Sequence, residues 1–216
     1  YIENYLELLN SYSSDELMNK IQSEARDKGL PILRDTVANF LDIIVRTSSA
    51  RYILEIGTSI GYSTLVFLKA MEGKGKVVTI EVDEEMLNEA KQNFKNAGVL
   101  EMVTPILGDA GEILHYMEGQ YDIIFMDGPK AQYLHYLQDC LRLLKPGGLL
   151  ICDDVLFYGM VADNKLINKR KITIVKRMRK FLKVITSHPQ LSTIILPLGD
   201  GLSLSYKRKE ESYEKA

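Results

Sequence analysis

The 216-residue chain lacks the features that mark several classes of protein. Its two cysteines, Cys140 and Cys152, match neither a metal-binding nor a redox spacing, so we expect both to be buried and reduced. Its apolar runs are far shorter than the ~20 residues that a membrane-spanning helix needs. No cationic and apolar leader precedes the first predicted helix, although the chain begins at Tyr1. Together these absences predict a cytoplasmic protein.

The overall charge is also uninformative, because a formal net charge of −2 gives no general sign of a nucleic-acid partner. The length suits one domain with a sizeable core. We therefore predict a single domain over residues 1–216, in which residues 1–50 form a cap of N-terminal helices and residues 51–207 form the catalytic core.

The chain from residue 52 onward alternates between strand-like and helix-like segments. The first five strand-like segments are continuous Val/Ile/Leu runs, which are typical of parallel strands covered on both faces. The last two flank the turn sequence 197–201, which predicts an antiparallel hairpin. The predicted class is therefore α/β: a doubly wound, Rossmann-like sheet of seven strands, mostly parallel, with a C-terminal hairpin at its edge and helices at the N-terminus. The predicted strands are 52–56, 76–81, 102–107, 121–126, 148–152, 191–196 and 202–206.

Local signals predict where several helices begin and end. Ser13 and Glu16 have the spacing of a capping box, and the helix that they open should stop near Gly29. Asp83 should cap a helix that ends at Gly98. The sequence Pro-Gly-Gly at 146–148 should break the helix before the fifth strand.

The segment after the first predicted strand indicates a nucleoside-binding loop. Glu55 ends the strand, and Gly57 and Gly61 allow the loop backbone to approach a ligand closely. The next strand ends in Glu81, whose carboxylate can accept hydrogen bonds from both ribose hydroxyls. A dinucleotide fingerprint has a different glycine spacing, and Glu55 would repel phosphates. These residues therefore favour S-adenosylmethionine, a nucleoside without phosphates that carries a cationic, amino-bearing tail.

Two further segments complete the predicted cofactor site. Asp109, followed by Ala110, ends the third strand, where its carboxylate can accept from the exocyclic amine of adenine. Ser63 begins the next helix, where its hydroxyl and the free N–H groups can bind the methionine carboxylate. Either residue taken singly can also be read as an ordinary helix cap.

Three carboxylates follow the fourth and fifth strands and predict a metal site. Asp127 ends one strand, and Asp153 and Asp154 end the other. Carboxylates that converge there would repel each other without a cation, and an all-oxygen ligand set favours Mg²⁺. Lys130 lies three residues beyond Asp127. Its ammonium pKa would fall beside a metal, which would suit it to take a proton from a substrate hydroxyl.

The features described so far together resemble the cation-dependent O-methyltransferases of the catechol and caffeoyl-CoA type. They are segment 55–63, Glu81, Asp109, the 127–133 motif D-x-x-K-x-x-Y and the pair at 153–154. The resemblance spans nearly the whole chain. It implies that three oxygen ligands hold Mg²⁺, that the metal chelates two vicinal substrate oxygens and that a lysine deprotonates one of them. These roles fall on Asp127, Asp153, Asp154 and Lys130. The third ligand in the family is usually asparagine, so Asp154 should bind the metal more tightly but leave it a weaker Lewis acid.

Within this family, segments 30–32, 155–162 and 197–202 resemble the bacterial enzymes that methylate 5-hydroxyuridine in tRNA to 5-methoxyuridine. That base presents a hydroxyl beside a carbonyl, a vicinal oxygen pair like that of a catechol. The resemblance implies tRNA as the substrate and a homodimer as the assembly. With Leu30 and Asp127 included, the predicted cofactor contacts are Leu30, Glu55, Gly57, Gly61, Ser63, Glu81, Asp109, Ala110 and Asp127.

The charge pattern bears on the substrate. Between Lys165 and Lys183 there are nine basic residues and no acidic ones, and apolar residues of the same predicted helix form a separate stripe. This segment is either a polyanion-binding face or a solvated helix face. Two alternatives remain open. One is a methyltransferase of small catechols or caffeoyl-CoA-like substrates, and the other is a nucleotide-sugar or NAD-binding module that transfers no methyl group.

Overall fold

The structure, a computed structural model, describes residues 5–6, 9–10, 12 and 15–209. By its contacts the chain divides into two compact units, the first ending at Ile113 and the second beginning at Leu114. Each unit is built from strands and the helices that connect them. No helix in the described part of the chain is long and apolar enough to cross a membrane.

The first unit contains a three-stranded parallel arrangement in the order β3-β2-β1. Leu54 of β1 is paired with Val78 of β2, which is paired with Thr104 of β3. Buried aromatic residues from the helices, Phe67 and Phe94, form part of the core. The elements are α1 (Glu16–Asp27), α2 (Asp35–Ser48), β1 (Tyr52–Ile56), α3 (Tyr62–Ala70), β2 (Lys76–Glu81), α4 (Glu84–Asn96), β3 (Val103–Leu107) and the first turn of α5 (Ala110–Tyr116).

Short polar side chains fix the helix boundaries. Asp15 caps α1 by accepting a hydrogen bond from Met18 N at 3.0 Å, while Ser13 of the predicted capping box lies outside the described residues. Asp83 caps α4 as predicted, and Gly98 follows that helix with a φ of 68°. Such a left-handed conformation is readily adopted only by glycine, so the sequence signal for this boundary was reliable.

The second unit has the strand order β4-β5-β7-β6. β4 and β5 are parallel, whereas β7 is antiparallel to both β5 and β6. This confirms the predicted C-terminal hairpin. Because the strands of the first unit are parallel, it also confirms that the strands are mostly parallel with an antiparallel hairpin. The elements are β4 (Tyr121–Met126), α6 (Tyr133–Leu143), β5 (Leu144–Cys152), α7 (Ile172–Ser187), β6 (Leu191–Leu196) and β7 (Leu202–Lys207).

The Pro-Gly-Gly sequence at 146–148 was wrongly expected to lie between a helix and a strand. α6 already ends at Leu143, and β5 begins at Leu144 and runs through all three residues. Leu144 pairs with Tyr121, but the next pair is Leu149 with Ile123, so β5 contains extra residues at this point. A bulge of this kind accommodates proline and glycine within a strand.

The two cysteines are free and fully buried, which confirms the prediction for both. Burial raises the pKa of the Cys152 thiol to about 12, and burial also raises the pKa of Cys140 well above its ordinary value. Thiols in this state are unreactive, because the thiolate is the nucleophilic form. Neither cysteine is therefore a candidate for catalysis.

Gly61 gives a test of the packing between α3 and α4. It has a φ of +83°, and a Cβ placed on it would lie 2.4 Å from Phe94 Cε1. We expect Gly61→Ala to lower the free energy of unfolding by about 3 kcal/mol, because it combines backbone strain with overpacking. The matched control is Gly98→Ala, since Gly98 has a φ of +68° but no atom within 4 Å of its Cβ position. Equal losses in urea unfolding experiments would contradict the predicted clash.

Candidate active site

Glu81, at the end of β2, holds the loop that follows β1. Its Oε2 accepts hydrogen bonds from Thr58 N at 3.1 Å and Ser59 N at 2.7 Å. Its Oε1 accepts from Val82 N at 2.9 Å and Asp83 N at 3.0 Å. Four backbone donors therefore fix this carboxylate at the mouth of the glycine-containing loop. The predicted contact between Glu81 and a ribose stays a prediction.

Glu55 lies at the centre of a buried hydroxyl network. Its side chain is fully buried, and its Oε1 accepts a hydrogen bond from Ser63 Oγ at 2.5 Å. Its Oε2 accepts from Thr79 Oγ1 at 2.6 Å and from the Thr64 hydroxyl. Thr79 Oγ1 also lies 2.5 Å from Thr58 Oγ1, which joins the network to the loop. Because a buried carboxylate needs hydrogen-bond donors, this network secures β1, β2 and α3 to one another.

These contacts change what Ser63 can do. Its proton is donated to Glu55, whereas the predicted bond to a methionine carboxylate would need that same proton. Gly57 donates its N–H to Ile80 O at 2.9 Å and has a φ of 97°, which keeps the loop backbone close to β2. The predicted cofactor contacts of Glu55, Gly57, Gly61 and Ser63 stay predictions.

The end of β3 carries the residues predicted to bind adenine. Asp109 Oδ1 accepts from Gly111 N at 2.7 Å and from Glu112 N at 3.3 Å, so the carboxylate caps the start of α5, whose first residue is Ala110. Two apolar side chains near the strand ends, Val82 and Leu107, are 65% and 47% exposed. Exposed apolar groups beside a polar strand end are suited to packing against a planar base.

The structure brings the predicted catalytic lysine together with two of the three predicted metal ligands. Lys130 Nζ lies 2.6 Å from Asp127 Oδ1 and 3.2 Å from Asp154 Oδ2. The lysine side chain is only 14% exposed, so the ammonium is largely removed from water. Asp153 is adjacent, and its Oδ1 accepts a hydrogen bond from Asp154 N at 2.8 Å. We refer to Asp127, Lys130, Asp153 and Asp154 as the acidic cluster.

Tyr133 connects the two strand ends that carry the acidic cluster. Its hydroxyl lies 3.0 Å from Met126 O and 3.1 Å from Asp153 O, so it links the ends of β4 and β5. The ring is fully buried and makes an edge contact with Phe181 of α7, with centroids 5.5 Å apart. Tyr133 thus fixes the separation of the two strand ends that carry the carboxylates.

Burial and neighbouring charges shift the pKa values of the acidic cluster. Burial, followed by the charges of Asp127 and Asp154, raises the pKa of Asp153 to about 8. Burial raises the pKa of Asp127 as well, against the lowering effect of Lys130. Burial alone would lower the pKa of Lys130, but Tyr133, Asp127 and Asp154 outweigh it and raise that pKa above its ordinary value. The carboxylates therefore favour the ammonium form of the lysine in this structure, and the lowered pKa expected beside a bound metal stays a prediction.

The donor chemistry of the acidic cluster fits Mg²⁺, because three carboxylates offer oxygen ligands and have one ammonium to balance them. In the structure two of the three, Asp127 and Asp154, form ion pairs with Lys130, and Asp153 accepts from the Asp154 amide. Within residues 15–209, no three acidic, histidine or cysteine side chains are placed to hold a metal ion together. Asp127, Asp153 and Asp154 therefore stay predicted metal ligands.

The basic segment is only partly helical. α7 begins at Ile172, so Lys165, Lys169, Arg170 and Lys171 precede it in two short 3₁₀ turns. Arg179 does not face solvent freely, since its guanidinium donates to Val161 O at 2.9 Å and to Met160 O at 3.2 Å. The other eight side chains are exposed and have no carboxylate partner within the described residues. We refer to these eight as the basic surface: Lys165, Lys169, Arg170, Lys171, Lys176, Arg177, Lys180 and Lys183.

Comparison with known proteins places the chain in a family. Residues 9–208 match the family described as O-methyltransferase. The chain belongs to the O-methyltransferase family. A relative named catechol O-methyltransferase, from Niastella koreensis, is 29% identical over 215 residues, with 94% of this chain and 95% of that protein covered.

Solved structures agree with this assignment. The S-adenosylhomocysteine-bound methyltransferase PaMTH1 of Podospora anserina superposes with a TM-score of 0.86 and 25% identity, covering 96% of this O-methyltransferase and 94% of that chain. TomG of Streptomyces achromogenes, solved with S-adenosylmethionine, superposes with a TM-score of 0.83 and is 26% identical in sequence, with 96% of each chain covered. These matches confirm the predicted Rossmann-like methyltransferase fold and the predicted enzyme class. The single domain, the homodimer and the cytoplasmic location stay predictions.

Sequence reasoning missed the residues that hold this O-methyltransferase's carboxylates in place. Thr64 and Thr79 bind Glu55, and Arg179 holds the segment after β5. Thr79 lies in a strand rich in β-branched residues, where a threonine is ordinary and gives no distinctive signal. The 127–133 motif did draw attention to Tyr133, but not to its role between two strand ends.

Thr79 offers a test of the Glu55 network. Thr79→Val keeps the shape of the side chain but removes the hydroxyl that lies 2.6 Å from Glu55 Oε2. We expect the free energy of unfolding to fall by about 2–3 kcal/mol, because a buried carboxylate loses a donor. Thr193→Val is the control: its hydroxyl bonds only neutral oxygens, those of Ile185 and Ser205, so we expect a loss of about 1 kcal/mol. A loss from Thr79→Val no larger than the control's would argue against the network.

Proposed function

We propose that this protein is an S-adenosylmethionine- and Mg²⁺-dependent O-methyltransferase that methylates one of two vicinal oxygens, and that its substrate is 5-hydroxyuridine in tRNA. The observation that carries the proposal is the acidic cluster. Lys130 lies between Asp127 and Asp154 at the ends of β4 and β5, in a family whose members transfer methyl groups to oxygen. A substrate hydroxyl held there would meet both cation-binding carboxylates and a proton acceptor.

S-adenosylmethionine is supported as the methyl donor by two observations. The solved relatives hold S-adenosylmethionine or S-adenosylhomocysteine. In this chain, Glu81 is hydrogen-bonded to the loop that runs from Gly57 to Gly61, and Val82 and Leu107 offer apolar side chains for a base. The match to the O-methyltransferase family and these two bound structures speak against the NAD-binding alternative.

The reaction is a displacement in which a substrate oxygen attacks the methyl carbon and the sulfur keeps the electron pair of the broken S–C bond. The protein's task is to align that oxygen and to remove its proton. Asp127, Asp153 and Asp154 would hold Mg²⁺, which when bound supplies a Lewis acid that stabilises the substrate oxyanion. Lys130 Nζ would accept the proton. This role requires Lys130 to give up its ion pairs with Asp127 and Asp154 when the substrate binds.

The basic surface supports tRNA as the substrate. Its eight exposed cations have no carboxylate partners in the described residues, although Lys171 lies over the Phe157 ring, so their charge is available to phosphates. Tyr158, which follows the acidic cluster by four residues and is 75% exposed, offers a ring on which a base could stack. Both features lie in the second unit, as does the acidic cluster.

A small vicinal diol is the second candidate substrate, and the Niastella koreensis relative named catechol O-methyltransferase favours it. The acidic cluster would serve a catechol or a caffeoyl-CoA-like molecule by the same chemistry. Mass spectrometry of tRNA nucleosides from a strain that lacks the gene separates the two. Loss of 5-methoxyuridine with accumulation of 5-hydroxyuridine is expected, and an unchanged nucleoside profile would reject tRNA.

The metal mechanism predicts that methyl transfer depends on a divalent cation. We expect EDTA to abolish transfer and added Mg²⁺ to restore it, measured with radiolabelled S-adenosylmethionine. Asp127→Asn should lower turnover at least about a hundredfold, because it weakens both the cation site and the alignment of the oxygen.

Two controls separate a local effect from unfolding. Calorimetry should show that Asp127→Asn binds S-adenosylhomocysteine nearly as well as the parent does. Asp122→Asn removes a carboxylate of β4 that pairs with Lys145 of β5, and it should keep most of the activity. Full turnover in EDTA, with the protein's metal content measured as zero, would refute the metal mechanism.

The basic surface predicts a specific effect on tRNA. Replacing Lys169, Arg170, Lys176 and Arg177 together by glutamine should raise the KM for tRNA about tenfold or more and flatten its salt dependence, because fewer counterions are released on binding. Turnover at saturating tRNA and activity on catechol should change little, since none of the four belongs to the acidic cluster.

The matched control removes the same charge elsewhere. Lys20, Lys74, Lys76 and Lys95 are also exposed lysines, and their joint replacement by glutamine should leave the KM for tRNA nearly unchanged. Equal effects from both quadruple variants would mean that only net charge matters, and the small-molecule candidate would then be favoured.

A further inference from the structure

The segment that follows β5, residues 153–162, holds an unusual backbone conformation. Three of its non-glycine residues have left-handed φ values: Asp154 at 54°, Phe157 at 48° and Tyr158 at 56°. Such conformations cost free energy for side chains with a Cβ, and they persist only where the surroundings impose them. We refer to residues 153–162 as the post-β5 segment. Its first two residues belong to the acidic cluster.

The turn between β6 and β7 holds one side of this segment through Asp200. The carbonyl of Asp200 accepts from Leu156 N at 2.9 Å, and its Oδ2 accepts from Tyr158 N at 2.6 Å. Gly201 O accepts from Val155 N at 2.8 Å. A Cβ on Gly201 would lie 2.3 Å from Leu156 Cγ, so the turn and the segment are in close contact.

α7 holds the other side of the segment. Arg179 donates to Val161 O at 2.9 Å and to Met160 O at 3.2 Å. Phe157 and Met160 are buried in a cluster with Val175 of the same helix. The post-β5 segment is thus fastened by the β6–β7 turn at residues 155–158 and by α7 at residues 157, 160 and 161.

The fastened stretch leads directly to the acidic cluster. Phe157 N donates to Asp154 O at 3.3 Å, which closes a turn between the left-handed residues and Asp154. Asp154 in turn places its carboxylate 3.2 Å from Lys130 Nζ. Through this turn, the contacts of Asp200 with residues 155–158 affect the position of Asp154, which faces Lys130, the proposed proton acceptor.

We propose that Asp200 is a positioning residue for methyl transfer: its carboxylate holds the post-β5 segment in the conformation that presents the Asp154 carboxylate to Lys130. Arg179 has the same role from the opposite side. This inference rests on the proposed function. It gives the C-terminal hairpin a part in catalysis that its distance in sequence from the acidic cluster does not suggest.

The test uses Asp200→Ala, which removes the side-chain acceptor but keeps the backbone carbonyl. Hydrogen exchange should become about tenfold faster at the amide of Tyr158. Turnover of S-adenosylmethionine, measured with catechol and with 5-hydroxyuridine tRNA, should fall about ten- to a hundredfold. The KM for S-adenosylmethionine should stay the same, whereas a general loss of structure would raise it. Asp200→Asn keeps an acceptor oxygen and should restore most of the turnover.

The matched control is Asp163→Ala. Asp163 also uses one carboxylate oxygen to accept from a backbone amide, that of Lys165 at 2.8 Å, but it lies beyond the post-β5 segment. It should leave both turnover and exchange of residues 155–158 unchanged. If Asp200→Ala does not fold, Arg179→Gln removes the opposite tie and provides the same two readouts.

The outcomes separate the two proposals. Faster exchange with reduced turnover supports the positioning role of Asp200. Unchanged exchange overturns it, and so does faster exchange with full turnover. If the parent enzyme methylates neither acceptor, the proposed function fails, and the exchange measurement alone decides whether Asp200 holds the segment.

Discussion

The ion pairs between Lys130 and the carboxylates of Asp127 and Asp154 are the interaction on which the candidate site depends. The pair with Asp127 has an N–O distance of 2.6 Å, and its lysine is largely shielded from water. Charges in such a place are stable only when they are paired, because desolvation penalises each one alone. One ammonium faces three carboxylates, and burial together with the charges of Asp127 and Asp154 raises the pKa of Asp153 to about 8. The same imbalance makes the cluster a suitable place for a cation and for an oxygen that must become an anion.

The first unit meets the same constraint with neutral groups. Glu55 is buried and is satisfied by hydroxyls, while Glu81 is satisfied by four backbone amides. Both carboxylates hold the loop that follows β1, Glu81 through two of its backbone amides and Glu55 through Thr79 and Thr58. A loop held in one conformation before binding would lose little conformational freedom to a ligand, which would favour affinity. The two units thus use carboxylates in different ways, one to hold a backbone and the other to hold charge.

Much of the arrangement in the second unit is held by residues distant in sequence. Tyr133 links the ends of β4 and β5, and Asp200 and Arg179 fasten the segment that carries Asp154. Arg179 illustrates how a count of charges misleads. It belongs to the run of basic residues in sequence, yet its guanidinium binds backbone carbonyls and is not part of the basic surface.

The sequence by itself determined the strands, the hairpin, the helix caps at Asp83 and Gly98 and the family. Each of these depends on local patterns, such as apolar runs, turn residues and motif spacing, which lie within a few residues of one another. Only the tertiary structure decided which groups satisfy each carboxylate: Lys130 for Asp127 and Asp154, hydroxyls for Glu55 and backbone amides for Glu81. It also decided that 146–148 lies within β5 and that Arg179 faces inward. These outcomes depend on contacts between segments far apart in the chain. Hydrogen bonds and burial that arise from such contacts produce no local pattern in the sequence.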